Sequence, residues 1–158
     1  MKPGLWTTIP QRTVHLCCGE KPLPPGHVGV DIRPRSSSTG ACVQMDALDF
    51  LILKCAPNSL DLVTLLHGPE HFVHARFCAL ATVVLGKLRR GGVFSLEFPD
   101  VSRPIRVDEL FGAESWVAVE HVSGWTCDML AEVLKAAGFA RIEVNDERRY
   151  PRVTATKA

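Results

Sequence analysis

The residues with the most chemical potential in this sequence stand just after short apolar runs. Leu16-Cys17-Cys18-Gly19 closes the first run, Val30-Asp31 closes the second, Asp46-Ala47 follows the third, and Leu66-His67 closes the fourth. A glycine lets a ligand approach the backbone. An aspartate at a strand end can accept hydrogen bonds from two adjacent hydroxyls, and a carboxylate beside a backbone N–H suits the edge of a purine. An imidazole can take a proton near neutral pH, which makes His67, and after it His71, candidate general bases. Taken in order, the four positions describe a nucleoside site built on consecutive strand ends.

The elements that must position these groups follow from patterning. Thr13 to Cys17, Val28 to Ile32 and Ala41 to Gln44 read as short strands bounded by glycine or proline. Asp46 to Lys54 reads as a helix, with Asp46 as N-cap and Leu48, Leu51 and Ile52 on one face. Leu60 to Leu66 is almost wholly apolar, as a strand buried on both faces requires. Gly68-Pro69-Glu70 carries helix-start signals, so a helix is expected from there to about Arg89, stopped by Gly91-Gly92. Val93 to Phe98 is the next strand, and a last helix starts at Thr126 or Asp128 and runs through Ala137. Phe139 to Asn145 and Tyr150 to Thr156 then form an antiparallel hairpin. The fold class is therefore an α/β sandwich around a mostly parallel sheet. One crossover helix is missing: Gly19 to His27 is too short for it, and Pro22, Pro24 and Pro25 forbid it.

Length and composition bound the rest. The 158 residues suit one domain, read as residues 13–158 behind an arm of residues 1–12 that lacks periodicity. Eighteen basic against 17 acidic residues leave +1, which nominates neither nucleic acid nor a membrane surface as partner. No run approaches the ~20 apolar residues of a membrane helix. The six cysteines form no CxxC pair and read as reduced thiols of a cytoplasmic protein. The slightly positive mean hydropathy predicts some apolar surface for pairing with another chain, as in a homo-oligomer.

These motifs, in this order, resemble the class I S-adenosylmethionine-dependent methyltransferases, specifically their short methyltransferase-domain (type 11-like) proteins. The resemblance rests on Leu16-Cys17-Cys18-Gly19, Gly29-Val30-Asp31, Asp46-Ala47, Asp61-Leu62-Val63, Glu70-His71, Gly91-Gly92 and Pro99-Asp100, and covers about residues 13–157. It implies a Rossmann-like sandwich and S-adenosyl-L-methionine as cofactor. Gly19 would adjoin the methionine part, Asp31 the ribose and Asp46-Ala47 the adenine, with Cys17, Ile32, Leu66 and His67 completing the candidate set. Cys17 stands where the family has its first glycine, and Lys21, in the loop that replaces the first helix, would pair with the methionine carboxylate. The acceptor implied, by elimination of nucleic-acid methylation motifs, is a small molecule or a carbohydrate.

Three other readings compete. His67-Gly68-Pro69-Glu70-His71 matches the inverted zinc-protease motif, but Gly68-Pro69 starts the helix after His67, so no metal is expected there. A nicotinamide-dependent dehydrogenase would need a G-x-G-x-x-G turn that Cys17-Cys18-Gly19-Glu20-Lys21-Pro22 does not supply. The serious rival is a non-catalytic nucleoside-binding or scaffold domain, favoured by the missing helix and by Cys17. Trp125 and Trp116 are read as packing groups, and Arg103 and Arg106 as contacts for an anionic acceptor.

Overall fold

The computed structural model describes residues 12–19, 22–33, 41–104 and 121–158. Seven strands form one sheet: β1 (Thr13–Leu16), β2 (His27–Asp31), β3 (Ala41–Gln44), β4 (Leu60–Leu66), β5 (Leu88–Glu97), β6 (Arg141–Asn145) and β7 (Arg152–Thr156). Their order is β3-β2-β1-β4-β5-β7-β6, parallel through β5 and antiparallel where β7 joins β5 and β6. Three α-helices are described: α1 (Ala47–Lys54), α2 (His74–Lys87) and α3 (Cys127–Ala137). This is the Rossmann-like sandwich with a terminal hairpin that the pattern predicts.

Alternation along the strands divides the sheet into two unlike faces. On one, Val28, Val14, Val63, Phe94 and Ala155 stand side by side, and Val30, Leu16, Leu65, Leu96 and Val153 form the next row. All ten are at most 3% exposed. Helix residues Phe50 and Leu51, Phe77, Leu80 and Val84, and Leu130 and Leu134 close over those rows as one core, with α2 lying between α1 and α3. On the other face the corresponding row reads Cys42, Gly29, His15, Thr64, Ser95, Thr154 and Glu143. Its polar content matches the absence, among the described residues, of any helix over it.

The β1–β2 link accounts for that asymmetry. Its described residues contain no helix, and Leu23 and Cys18 instead lie directly on Gly29, where a Cβ would come within 2.6 Å of Leu23 Cδ1 and 2.7 Å of Cys18 Sγ. The glycine of Gly29-Val30-Asp31 is thus a packing requirement of this loop.

Two expectations are corrected. The helix expected from Gly68 to Arg89 is interrupted: Pro69–His71 is one 3-10 turn, Phe72 and Val73 are extended, and α2 begins at His74. The cause is tertiary. Trp125 Nε1–H donates to the Pro69 carbonyl at 2.9 Å and Ser123 Oγ–H to the Phe72 carbonyl at 2.8 Å, taking acceptors that a continuing helix would use. At the other end α2 stops at Lys87, and Leu88 to Gly92, expected as helix end and stop signal, belong to β5. Strand boundaries elsewhere agree within two residues, and Leu60–Leu66 and Ala41–Gln44 agree at both ends. Thr126 caps α3 by accepting from Met129 N–H, and Gly138, at φ +105°, ends it. Among the described residues no helix is long and apolar enough to cross a membrane.

Candidate functional site

Because β1 to β5 run parallel, their C-terminal ends meet along one edge. Cys18 N–H donates to the Val30 carbonyl at 3.2 Å and Met45 N–H to the Asp31 carbonyl at 2.9 Å, which ties the first three ends together. Asp31 is 6% exposed. Its Oδ2 accepts from Gly19 N–H at 2.8 Å and its Oδ1 from Arg33 N–H at 2.9 Å. A carboxylate has about four lone-pair sites, so two backbone donors leave capacity for further hydroxyl donors. Ile32, next to it, is 69% exposed, an apolar side chain held open beside the acid.

Asp46 has more to do than the sequence reading gave it. Oδ1 accepts from Leu48 and Asp49 N–H as the α1 N-cap, and Oδ2 pairs with Arg76 at 2.6 Å. Both oxygens are therefore engaged, and the adjacent Ala47 is buried in the first turn. Cys17 is half-buried with φ +52°, the left-handed conformation that a glycine adopts without strain. Burial first, and then the charges of Asp31, Asp46, Cys18 and Glu70, push its thiol up to about 12. The raised value favours the neutral thiol over the thiolate. Lys21, Trp116 and Arg106 lie outside the described residues.

At the end of β4, Leu66 is half-buried and His67 takes φ +52°. The His67 backbone N–H donates to the Glu97 carbonyl at 2.7 Å, its Nε2 lies 3.5 Å from Glu97 Oε1, and its ring meets the edge of Tyr150 at 4.5 Å. Glu97, at the end of β5, also receives Arg152 at 2.9 Å and Arg148 at 3.5 Å. Sequence reasoning missed Glu97. The signal was available: Phe94, Leu96 and Phe98 alternate with Ser95 and Glu97, which puts the acid on the opposite face from the core.

His71 is placed elsewhere. It sits in the 3-10 turn with Glu70, its ring 4.9 Å from that of His121. Gly68-Pro69 does separate it from His67, so the i, i+4 geometry of the zinc-protease motif does not form. His74, at the start of α2, stacks on Trp125. Trp125 itself is a core residue, 1% exposed. Glu70, read as serving a helix start, is 3% exposed. Burial pushes its carboxyl up to about 7 against the lowering effect of its own backbone N–H. Arg103 is engaged with the turn before β7, donating to the Asp146 carbonyl at 2.7 Å, which leaves it a structural tie.

No family profile matches the sequence, and no curated protein does. Solved structures match over almost the whole chain. A S-adenosylmethionine-dependent methyltransferase from Archaeoglobus fulgidus superposes with a TM-score of 0.75 at 14% identity, over 93% of this chain and 86% of the other. A S-adenosylmethionine-dependent methyltransferase from Thermotoga maritima gives 0.69 at 13% identity, over 93% and 82%. Phosphoethanolamine N-methyltransferase 2 of Haemonchus contortus, solved with S-adenosyl-L-methionine, gives 0.65 at 14% identity; 93% of this chain spans 48% of that enzyme. The chain has the class I methyltransferase fold.

Proposed function

We propose that this chain is a S-adenosylmethionine-dependent methyltransferase whose donor lies across the C-terminal ends of β1, β2 and β3. The observation that carries the reading is the 2.8 Å bond from Gly19 N–H to Asp31 Oδ2, which joins the glycine after β1 to the acid after β2 at the edge where such folds bind nucleosides. In this reading Asp31 accepts from the ribose hydroxyls and Ile32 gives the adenine an apolar platform. Ala47 lies at the adenine edge, Leu66 and Cys17 pack beside the donor, and Lys21 meets the methionine carboxylate. Asp46 holds the α1 terminus through Oδ1 and, with Arg76 alone on Oδ2, keeps a lone pair there for the adenine edge. The Asp31 carboxylate at that edge also favours a cationic sulfonium over an anionic ligand.

The sulfonium already carries an activated methyl, so aligning the acceptor atom opposite the leaving sulfur supplies much of the rate. An acceptor hydroxyl or ammonium must also lose a proton. His67 takes it, and Glu97 at 3.5 Å orients the ring and stabilises the imidazolium that forms. His71, the second candidate base, has no such placement among the strand ends. The acceptor is a small molecule or a carbohydrate, and the six free thiols accord with a cytoplasmic setting. A homo-oligomer is consistent with exposed Ile52, Leu53 and Val144.

Cys17 at a left-handed turn position and the helix-free β1–β2 link favour the second reading, a binding or scaffold domain without turnover. Calorimetric titration with S-adenosyl-L-methionine, followed by an assay of methyl incorporation from labelled donor, separates the two. Asp31→Ala is expected to weaken binding by about 2 kcal/mol, roughly 30-fold, the worth of hydrogen bonds to a charged group. His67→Ala is expected to leave donor affinity within about twofold and to lower turnover ~100-fold. Unchanged affinity in Asp31→Ala would refute the ribose assignment; donor binding without incorporation into any acceptor fraction would leave the scaffold reading.

A further inference from the structure

The two members of the H-x-x-E-H run that the 3-10 turn keeps together meet a third group from far along the chain. Glu70, His71 and His121 each offer a ligand atom, and these atoms all lie within 4.8 Å of one another. We propose that Glu70, His71 and His121 form a binding site for a divalent transition cation of the zinc class. Two imidazoles and one carboxylate are the donor set that such cations take in preference to magnesium or calcium, which seek oxygen alone.

Three further observations support it. First, Glu70 Oε2 is fully buried and has no hydrogen-bond partner among the described residues, a condition that costs free energy unless something else meets the charge. A cation supplies that partner. Second, His121 Nε2 stands 4.0 Å from Glu70 Oε1, close enough for the charges to interact and too far for a hydrogen bond, a spacing that a shared cation would bridge. Third, the scaffold is prearranged. Val122 and Ser123 N–H both donate to the Glu70 carbonyl, at 2.9 and 3.2 Å, so the residue after His121 is fastened to the residue before His71. Ser123 Oγ–H and Trp125 Nε1–H fasten the same two segments again through the Phe72 and Pro69 carbonyls.

Ligands around a tetrahedral cation with bonds of ~2.1 Å stand roughly 3.4 Å apart, so atoms within 4.8 Å of one another need to close by about 1.4 Å at the most, within the reach of side-chain rotation. Three protein ligands leave one position of such a cation to an outside oxygen or nitrogen, the arrangement of an open rather than a closed site. The nearest rival explanation is a hydrogen-bonded histidine pair beside a protonated glutamic acid. That arrangement has no need of a metal and predicts no stoichiometric uptake.

The test is titration of the full, tag-free chain with Co²⁺, followed by visible absorption, and with Zn²⁺, followed by calorimetry, in the absence of S-adenosyl-L-methionine. One equivalent is expected to bind, with the intense d–d bands of a low-symmetry Co²⁺ site, and Zn²⁺ is expected to displace it. Glu70→Gln and His121→Gln, both close in volume to the native residues, are expected to weaken uptake at least 10-fold. His15→Gln, in the other histidine pair, is expected to bind as the native chain does. Circular dichroism identifies a variant that fails to fold, and Glu70→Gln, which removes a buried charge, then serves alone. Absence of a stoichiometric site, retention of full affinity in Glu70→Gln, or loss of uptake in His15→Gln alone overturns the assignment. Because the donor is left out, failure here is distinct from failure of the methyltransferase reading.

Discussion

Cys17 is the residue on which local strain and function come closest together. Its backbone holds φ +52° at the turn out of β1, a conformation that costs a residue with a Cβ roughly 1–2 kcal/mol and glycine almost nothing. It directly follows β1, at the strand-end edge where the donor lies in the proposed reading. Cys17→Gly therefore removes both the strain and the side chain at the point of contact. Its expected effect is a tighter complex with S-adenosyl-L-methionine, by about 1 kcal/mol or roughly fivefold, measured by calorimetry. Unchanged or weaker binding would mean that the thiol lies off the donor's path. His67 repeats the geometry at the end of β4, again at φ +52°, so two of the strand ends turn through left-handed residues before their site groups appear. Such positions are where function tolerates a local cost.

Among the elements, the clearest lesson comes from the segment after β4. Pro69 and Glu70 are genuine helix-start residues, and the sequence window holds nothing to break the helix at Phe72. What breaks it is Ser123 and Trp125, some fifty positions later, which bind the carbonyls a helix would consume. Distance in sequence likewise hides the clustering of His121 with Glu70, some fifty positions apart, and of Glu97 with His67, some thirty apart. By contrast, the Asp46 cap, the Gly138 terminator and the apolar run of β4 are local facts, and each is legible residue by residue. Gly19 and Asp31 are legible for the same reason: they need only the strands that precede them. The start of β5 was hidden because Arg89, Arg90, Gly91 and Gly92 have the look of a helix end, yet they form a bulge inside the strand, between Leu88 paired with Leu60 and Val93 paired with Leu62, and Lys157 N–H donates to the Gly92 carbonyl at 3.0 Å. Lys157 also secures the end of α2. Its Nζ donates to the Leu85 and Leu88 carbonyls, at 2.9 and 2.8 Å, and to Asn58 Oδ1 at 2.7 Å. These bonds satisfy carbonyls that a helix C-terminus leaves open. Lys157→Met keeps the length and loses the donors, and its expected cost is about 1 kcal/mol in urea denaturation. A midpoint that does not move would show that water replaces the lysine without penalty.

Across the whole molecule, the sheet has separated two tasks that a sandwich covered on both sides would share. The apolar face carries the three helices and the core, while the strand ends, which need only β1 to β5 to run parallel, carry the candidate site. Losing a crossover helix therefore leaves the site's edge in place and changes the opposite face. There the centre is a hydrogen-bonded chain: His27 Nδ1 lies 2.7 Å from His15 Nε2, and His15 Nδ1 lies 2.6 Å from Thr64 Oγ1. Burial holds the His15 ring below its ordinary value of 6.5, and the neighbouring His27 lowers it further. Between that depressed value and 6.5 the unfolded chain binds more protons than the folded one, so stability rises with pH across the window. The contribution is fully present above 6.5 and is lost as the pH falls through the folded-state value. His15→Gln keeps polar atoms on both sides of the chain but cannot titrate. Chemical denaturation at pH ~7.5 and ~5.5 is expected to show the native chain losing more stability on acidification than His15→Gln does. Equal losses in the two proteins would place the acid sensitivity elsewhere, and would make the polar face a passive surface rather than one whose protonation state the fold has fixed.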